Sequence, residues 1–77
     1  MWSEGIITIP GTSVSYKYWV KHFEDGSEFG IDGGKISKLT IRKVGEKRDL
    51  CNYDRGWDVE PVDEVKAVYA IVLEKYN

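Results

Sequence analysis

The sequence is poor in the residues that build metal sites, disulfide frameworks and membrane spans. Its 77 residues include one cysteine, Cys51, and one histidine, His22. A single cysteine cannot form an internal disulfide, and neither residue type is numerous enough for a cysteine-rich or histidine-rich metal site. No apolar run approaches the length needed to cross a bilayer, and the start lacks the basic and apolar regions of a signal peptide. We therefore expect a cytoplasmic protein with no metal, no cofactor and no membrane partner.

The composition predicts one small, β-rich domain over residues 1–77. Hydrophobic residues make up 42% of the chain and charged residues 31%, a balance unlike that of disordered chains. The eight valines and seven isoleucines outnumber the three leucines, two alanines and one methionine. Branching at Cβ favours pleated strands over helices, so most of the chain should be β-structure.

Four strands are predicted, at residues 5–9, 13–24, 36–44 and 49–54. The second shows the clearest alternation. Residues Val14, Tyr16, Tyr18 and Val20 should share one face, with Ser15, Lys17, Trp19, Lys21 and Phe23 on the other. This strand is long enough that we expect a bend or a bulge in it. The third and fourth strands should form a hairpin.

The C-terminal segment has the periodicity of an amphipathic helix. A stripe recurs at i, i+3, i+4, i+7 and i+11, formed by Val65, Val68, Tyr69, Val72 and Tyr76. Pro61 suits a first helical position, and either Glu60 or Asp63 could serve as the N-cap. The predicted fold is α+β, with a four-stranded antiparallel sheet followed by one C-terminal helix packed on it, in the order β-β-β-β-α.

Charges alternate in blocks along the chain, although the net charge is only −2. Residues 24–32 carry only acidic charges, residues 35–48 carry six basic residues against one acidic, and residues 49–64 carry six acidic residues against one basic. Ion pairing between neighbouring strands would account for this alternation. A charged surface that faces a partner is the alternative.

Three constellations have both a structural and a functional interpretation. Trp57 could fill the core between sheet and helix or anchor an interface, and Arg55 could pair with Asp54 or Asp58 or contact a partner. The glycine-rich loop at residues 25–34 lacks the ligand spacing of an EF-hand and does not lead from a strand into a helix, so we expect an ordered loop that contacts a partner. His22 and Cys51 have no catalytic partner at a recognisable spacing, so we do not expect an enzyme.

Three stretches together resemble a known protein family. They are Gly26 to Leu39 (GSEFGIDGGKISKL), Asn52 to Pro61 (NYDRGWDVEP) and the ending LEKYN. They are similar to a family of short uncharacterised proteins encoded by Gram-positive bacteria, their phages and mobile elements. The resemblance covers about residues 15 to 77 and implies a phage context without an assigned activity.

The leading functional hypothesis is a non-catalytic protein-binding module, encoded by a phage or mobile element, that modulates or inhibits a host machine. Inhibition of a defence system, as by an anti-CRISPR protein, is its most concrete form. The residues expected to contact the partner are Trp19, Lys21, Glu28, Phe29, Lys38, Arg42 and Arg55. An exposed edge strand could also pair with a second copy to give a homodimer.

Two alternatives remain open at the level of sequence. The basic strand pair at residues 35–48, with aromatic residues beside it, could bind single-stranded nucleic acid if folding separates the charges onto different faces. A small-ligand-binding protein would instead require a deep pocket lined by His22 or by the glycine-rich loop.

Overall fold

The computed structural model describes residues 1–77 and contains a five-stranded antiparallel sheet with one α-helix packed on it. The strands follow one another in sequence order across the sheet. They are β1 (Trp2–Thr8), β2 (Ser15–His22), β3 (Ile36–Lys43), β4 (Cys51–Asp54) and β5 (Trp57–Val59), and the helix is α1 (Lys66–Tyr76). The predicted α+β class, antiparallel sheet and C-terminal helix are confirmed.

The predicted number of strands was wrong, because the sheet has a fifth strand. β5 pairs antiparallel with β4, with Tyr53 opposite Trp57 and Asn52 opposite Val59. The two strands are joined by a two-residue turn, and the backbone N–H of Asp54 donates to the carbonyl of Gly56 across it (2.9 Å). A strand of three residues is too short to show an alternating pattern, and a register shift interrupts its pairing.

β2 and β3 form the middle of the sheet. Their pairing extends from Tyr16 opposite Lys43 to His22 opposite Ile36, and a bulge lies between Lys21 and His22. The bulge expected in this strand is therefore present. Alternation holds in both strands, since the inward residues Tyr16, Tyr18, Val20, Leu39 and Ile41 are buried while their neighbours are only half-buried.

The core lies between the inner face of the sheet and α1. It is a cluster of 13 buried residues to which β2, β3, β4 and α1 all contribute. Val68 and Val72 carry the buried stripe of the helix. The hydroxyl groups of Tyr18 and Tyr76 are 2.9 Å apart, which ties β2 to the last turn of α1 by a hydrogen bond. Burial of one sheet face and one helix stripe explains how this small chain folds without a disulfide.

The start of the helix differs from the prediction. A single 3₁₀ turn (Asp63–Val65) precedes α1, and neither Glu60 nor Asp63 makes a capping hydrogen bond. Pro61 lies in the segment before the turn rather than at a first helical position. Glu64 instead accepts a hydrogen bond from the Tyr16 hydroxyl (2.8 Å). This acidic segment is therefore anchored to the sheet by a side chain of β2.

The glycine-rich loop is ordered by its own hydrogen bonds and by the end of the helix. It contains a 3₁₀ turn (Ile31–Gly33), and the side chain of Ile31 is buried in the core. The Asn77 amide donates to the carbonyl of Ile31 (3.2 Å) and accepts from the N–H of Ile36 (3.0 Å). The loop is thereby tied to both the core and the start of β3.

As for membranes, the one α-helix falls short of the length and apolar character that a spanning segment needs.

Candidate interaction surface

The helix covers one face of the sheet and leaves the other facing solvent. We call the uncovered side the outer face. It is formed by the alternate residues Trp2, Glu4, Ile6 and Thr8 of β1, Ser15, Lys17, Trp19 and Lys21 of β2, Lys38, Thr40 and Arg42 of β3, and Asn52 and Asp54 of β4. Four of the seven predicted partner-binding residues lie on this face.

Trp19 lies at the centre of the outer face, opposite Glu4 on β1 and Thr40 on β3. The Lys17 ammonium nitrogen is 5.1 Å from the centroid of the indole ring, and the guanidinium carbon of Arg42 is 5.7 Å from it. Both distances are within the range of a cation–π contact. Two cations therefore flank one half-buried aromatic ring in the middle of an open sheet.

Arg42 is held in place by a carboxylate as well as by the ring. Its Nε donates to Asp49, whose second oxygen accepts a hydrogen bond from the Asn52 amide (2.9 Å). Burial alone would raise the pKa of Asp49, but the hydrogen bonds from Arg42 and Asn52 outweigh it and lower that pKa. Asp49 is therefore ionised at neutral pH and fixes the position of the guanidinium group.

A depression at one end of the outer face brings together three cations and two phenylalanine rings. We call it the basic cleft. Its volume is about 280 Å³, and it is lined by Lys21, Phe23, Ser27, Phe29, Ser37, Lys38 and Arg55. Four predicted residues, namely Lys21, Phe29, Lys38 and Arg55, meet here although each comes from a different segment of the chain.

Phe29 has a fixed backbone and an exposed side chain. Its N–H donates to Ser27 Oγ (3.0 Å), and its carbonyl accepts a hydrogen bond from the Tyr53 hydroxyl (2.8 Å). Its side chain is nevertheless 57% exposed, and that of Phe23 is 50% exposed. The fold thus presents two phenylalanine rings to solvent beside the basic cleft.

Arg55 is unusual in both conformation and pairing. Its backbone φ is 59°, in the left-handed region that glycine and asparagine tolerate best. Its N–H donates to the carbonyl of Ser37 (3.0 Å), which holds it beside the cleft. Of the two alternatives for Arg55, the pairing with Asp54 or Asp58 does not form, and Asp54 pairs with Lys38 instead (3.7 Å).

Ion pairs across strands explain much of the alternation of charge in the sequence. Three cations of the basic block pair with acids of the following block: Lys38 with Asp54, Arg42 with Asp49, and Lys43 with Glu64. Lys17 lies 3.9 Å from Glu4 on β1. Within the basic cleft, Lys21 and Arg55 have no ion-pair partner.

Three of the seven predicted partner-binding residues, Trp19, Arg42 and Glu28, lie outside the basic cleft. Trp19 and Arg42 line a small central depression with Thr40. Glu28 is exposed on the glycine-rich loop and lines neither depression. Its adjacency to Phe29 in the sequence does not place its carboxylate among the cations of the cleft.

The sequence-based list also missed residues that the geometry includes. Lys17 and Phe23 alternate with Trp19 and Lys21 along the second strand, so the pattern that selected those two residues could have selected all four. Ser27 and Ser37 carry no comparable signal. Ser27 reaches the cleft because the loop folds back beside β3, the strand to which Ser37 belongs.

Trp57 lies between sheet and helix without being buried. Its ring makes edge contacts with Tyr53 (4.9 Å between centroids) and with Tyr69 of α1 (5.7 Å). It remains 38% exposed because β5 is an edge strand. Trp57 therefore bridges the two layers at the rim of the core.

His22 and Cys51, the two residues with catalytic potential, both make structural contacts. The His22 ring lies 4.9 Å from the Tyr76 ring, and its Nε2 is 2.9 Å from Ser3 Oγ. Burial, with a smaller contribution from the positive chain terminus, lowers the pKa of His22. Cys51 is buried in β4, and burial raises the pKa of its thiol to about 12. At neutral pH the Cys51 side chain is a protonated thiol that fills the core.

Comparison of the sequence with known protein families finds a family without an assigned activity. The profile of the domain of unknown function DUF7678 matches residues 1–77. The chain belongs to the DUF7678 family. No curated protein and no solved structure shows significant similarity to it. Membership of DUF7678 brings no known ligand or partner, so any function must be argued from the surface itself.

Proposed function

We propose that this chain is a non-catalytic protein-binding module whose outer face docks an acidic surface of a partner protein. The observation that carries the proposal is Trp19, flanked by Lys17 and Arg42 on a sheet face that the helix leaves open. Tryptophan and arginine are the residue types most enriched at interface hot spots, because they bury a large area with few rotatable bonds.

The division between the two faces of the sheet supports this role. The large buried side chains of β2, β3 and β4 point into the core, where they hold the helix. Their outward neighbours are only partly buried, and β1 adds Trp2 (58% exposed) and Ile6 (60% exposed) to the same face. Exposed apolar groups set among cations are typical of surfaces that a partner covers.

The charge of the outer face favours an acidic partner. Lys17, Lys21, Lys38 and Arg42 lie on it against Glu4 and Asp54. With Asp49, which pairs with Arg42, the face carries four cations and three carboxylates and is positive by one charge, whereas the whole chain has a net charge of −2. Complementary charge mainly raises the association rate and selects the partner, while the aromatic contacts supply affinity.

The biological form of the proposal follows from the family resemblance. A phage or mobile-element accessory protein that acts in the cytoplasm could occupy a surface of a host machine, for example a CRISPR complex, and so inhibit it. Pairing of the edge strand β1 with a second copy would give a homodimer with a continuous outer face.

Affinity capture with matched baits tests the proposal. Wild-type protein, the double variant Trp19→Ala/Arg42→Gln and the control variant Lys47→Gln are immobilised and exposed to lysate from cells that encode the protein. Lys47 is an exposed lysine outside the outer face and makes no ion pair, so its removal changes net charge alone. We expect one protein to bind wild type and Lys47→Gln but not the double variant. Equal binding to all three baits would overturn the proposed surface.

Binding of single-stranded nucleic acid is a second candidate, favoured by one observation. Folding places aromatic rings and cations from β2 and β3 on the same open face, which is how sequence-tolerant proteins hold single strands. Polarisation titrations of a labelled oligothymidylate at two salt concentrations test it. Affinity that falls steeply with salt and disappears in Trp19→Ala supports this candidate, whereas no binding at low salt eliminates it.

A further inference from the structure

The basic cleft has features of a ligand site that the proposed docking surface does not require. We propose that it binds a nucleotide, with the phosphate held by Lys21, Lys38 and Arg55 and the base packed against Phe23 and Phe29. This inference does not depend on the protein partner proposed above. It concerns the end of the outer face near the bulge of β2, away from Trp19.

Two lysines of the cleft are held side by side. Lys21 and Lys38 are directly opposite each other across β2 and β3. Like charges in this position destabilise a sheet, and only Lys38 has an acidic neighbour, Asp54 at 3.7 Å. The Lys21 ammonium instead lies 5.5 Å from the centroid of the Phe23 ring. A bound anion would neutralise a repulsion that the fold itself leaves largely uncompensated.

The third cation is placed in the cleft at a conformational cost. Arg55 adopts a left-handed backbone conformation (φ 59°) that disfavours side chains with a Cβ. The hydrogen bond from its N–H to the carbonyl of Ser37 holds it there. Its guanidinium makes no ion pair, although Asp54 is its neighbour in the chain. The two-residue turn between β4 and β5 requires this conformation at its first position, so the turn holds a cation without an ion-pair partner beside the cleft, where it is available to a ligand.

The apolar wall is also fixed in advance. Hydrogen bonds to Ser27 and from Tyr53 hold the backbone of Phe29, while its ring stays exposed. Binding therefore has to order only the side-chain rotamer of Phe29, and not its backbone. Stacking on an aromatic ring is favourable for any nucleobase, because every base has a π face.

The chemistry of the cleft fits a phosphate better than a carboxylate. A phosphate monoester carries nearly two negative charges at neutral pH, which matches three cations opposed by one carboxylate. The Ser27 hydroxyl adds a hydrogen-bond donor of the kind that phosphate oxygens accept, whereas the Ser37 hydroxyl already donates to the carbonyl of Lys21 (3.4 Å). The volume of about 280 Å³ is close to the lower end of the range of small-ligand sites. A mononucleotide and a nucleotide within a single strand present the same phosphate and base to such a cleft.

Titration of labelled protein with defined probes, followed by NMR, tests the inference. The probes are thymidine 5′-monophosphate, thymidine and inorganic phosphate. We expect the monophosphate to shift the amide signals of Lys21, Phe29, Ser37 and Arg55 in a saturable way. We also expect it to bind about tenfold more tightly than either thymidine or phosphate, since each of these supplies only half of the contacts. No saturable shift at these amides would overturn the inference.

The variant Arg55→Asn separates binding from folding. Asparagine tolerates the left-handed backbone better than arginine, so the variant should melt at a higher temperature than wild type while its affinity for the monophosphate falls about tenfold. Lys21→Gln should weaken binding similarly without a large change in melting temperature. Lys47→Gln, the matched control, should bind as wild type. If Lys47→Gln lost as much affinity for the monophosphate as Lys21→Gln, the loss would reflect net charge alone, and the proposed nucleotide site would be wrong.

Two further probes identify the source of the nucleotide and exclude a peptide. A pentathymidylate that binds more tightly than the monophosphate indicates a single strand, and equal affinity indicates a free nucleotide; both support the cleft. An acetylated Glu-Phe dipeptide that binds as tightly as the monophosphate would overturn the inference in favour of an acidic peptide. Because capture of a protein partner depends on Trp19, failure of the cleft leaves the docking surface intact, and the reverse also holds.

Discussion

Arg42 lies over the face of Trp19 while its Nε donates to Asp49, so one guanidinium group joins a half-buried aromatic ring to a half-buried carboxylate. This arrangement fixes both side chains in the free protein. Side chains that are already ordered lose less entropy when a partner covers them. The pair is therefore suited to serve as the centre of an interface.

Replacing Trp19 and Trp57 in turn should distinguish a residue of the outer face from one that bridges sheet and helix. Trp19→Ala should lower the free energy of unfolding by about 1 kcal/mol, because the ring lies on the outer face. Trp57→Ala should lower it by about 2 to 3 kcal/mol, because its ring contacts Tyr53 and Tyr69. Urea unfolding followed by circular dichroism measures both values. The reverse order would mean that Trp19 is a core residue.

The hydrogen bond between Tyr18 and Tyr76 should account for part of the docking energy of the helix. Its 2.9 Å geometry joins β2 to the end of α1, and burial with this bond raises the pKa of Tyr18 to about 12. A double-mutant cycle with Tyr18→Phe and Tyr76→Phe should give a coupling energy of about 1 kcal/mol. A coupling energy near zero would show that this hydrogen bond does not help to dock the helix.

Acid should destabilise the fold through two carboxylates. Hydrogen bonds from Tyr16 to Glu64, and from Arg42 and Asn52 to Asp49, lower the pKa of each acid below its ordinary value, 4.5 for Glu64 and 3.8 for Asp49. A lowered folded-state pKa contributes stability above the unfolded value and loses it as the pH falls through the folded value. We therefore expect the free energy of unfolding to decrease as the pH falls below about 4.5.

The variant Tyr16→Phe isolates the contribution of Glu64. It removes the hydroxyl that donates to the carboxylate, so the pKa of Glu64 should rise toward its ordinary value and the acid dependence of stability should weaken. Carboxyl NMR titrations of both proteins give the two pKa values. A Glu64 pKa that is the same in both would refute the assigned cause.

Two glycines should respond in opposite ways to an added methyl group. A Cβ at Gly30 would collide with the backbone carbonyl of Gly34, whereas one at Gly56 would meet nothing within 4 Å. Gly30→Ala should therefore cost about 1 to 3 kcal/mol and disturb the loop that carries Phe29. Gly56→Ala should be neutral or slightly stabilising. Thermal melts compare the two, and equal melting temperatures would contradict the tight packing of the loop.

The sequence predicted the parts of the fold that depend on periodicity. Alternation placed Trp19 and Lys21 on one face of β2 and Tyr18 and Val20 on the other, and the helical stripe identified Val68 and Val72 as core residues. β5 was missed because three residues carry no period. The N-cap prediction failed because a 3₁₀ turn (Asp63–Val65) precedes α1 and puts Val65, which has no capping side chain, at the N-cap position.

Long-range contacts also explain why only part of the candidate surface could be predicted from the sequence. The central pair of Trp19 and Arg42 follows from strand alternation and the pairing of neighbouring strands. The basic cleft forms only where the glycine-rich loop, the bulge of β2 and the turn between β4 and β5 converge. Its residues could therefore be predicted one by one, but not as members of one cleft. The left-handed conformation of Arg55 had no signal, since glycine would be the expected residue at that position.

Site-specific photo-crosslinking tests the central claim most directly. A photoreactive phenylalanine analogue replaces Thr40, which lies opposite Trp19 on the outer face, or Ile71, which is exposed on α1. Each variant is expressed in cells that encode the protein and then irradiated. We predict a defined protein adduct from position 40 and none from position 71. An adduct from position 71 alone would show that the helix, and not the outer face of the sheet, contacts the partner.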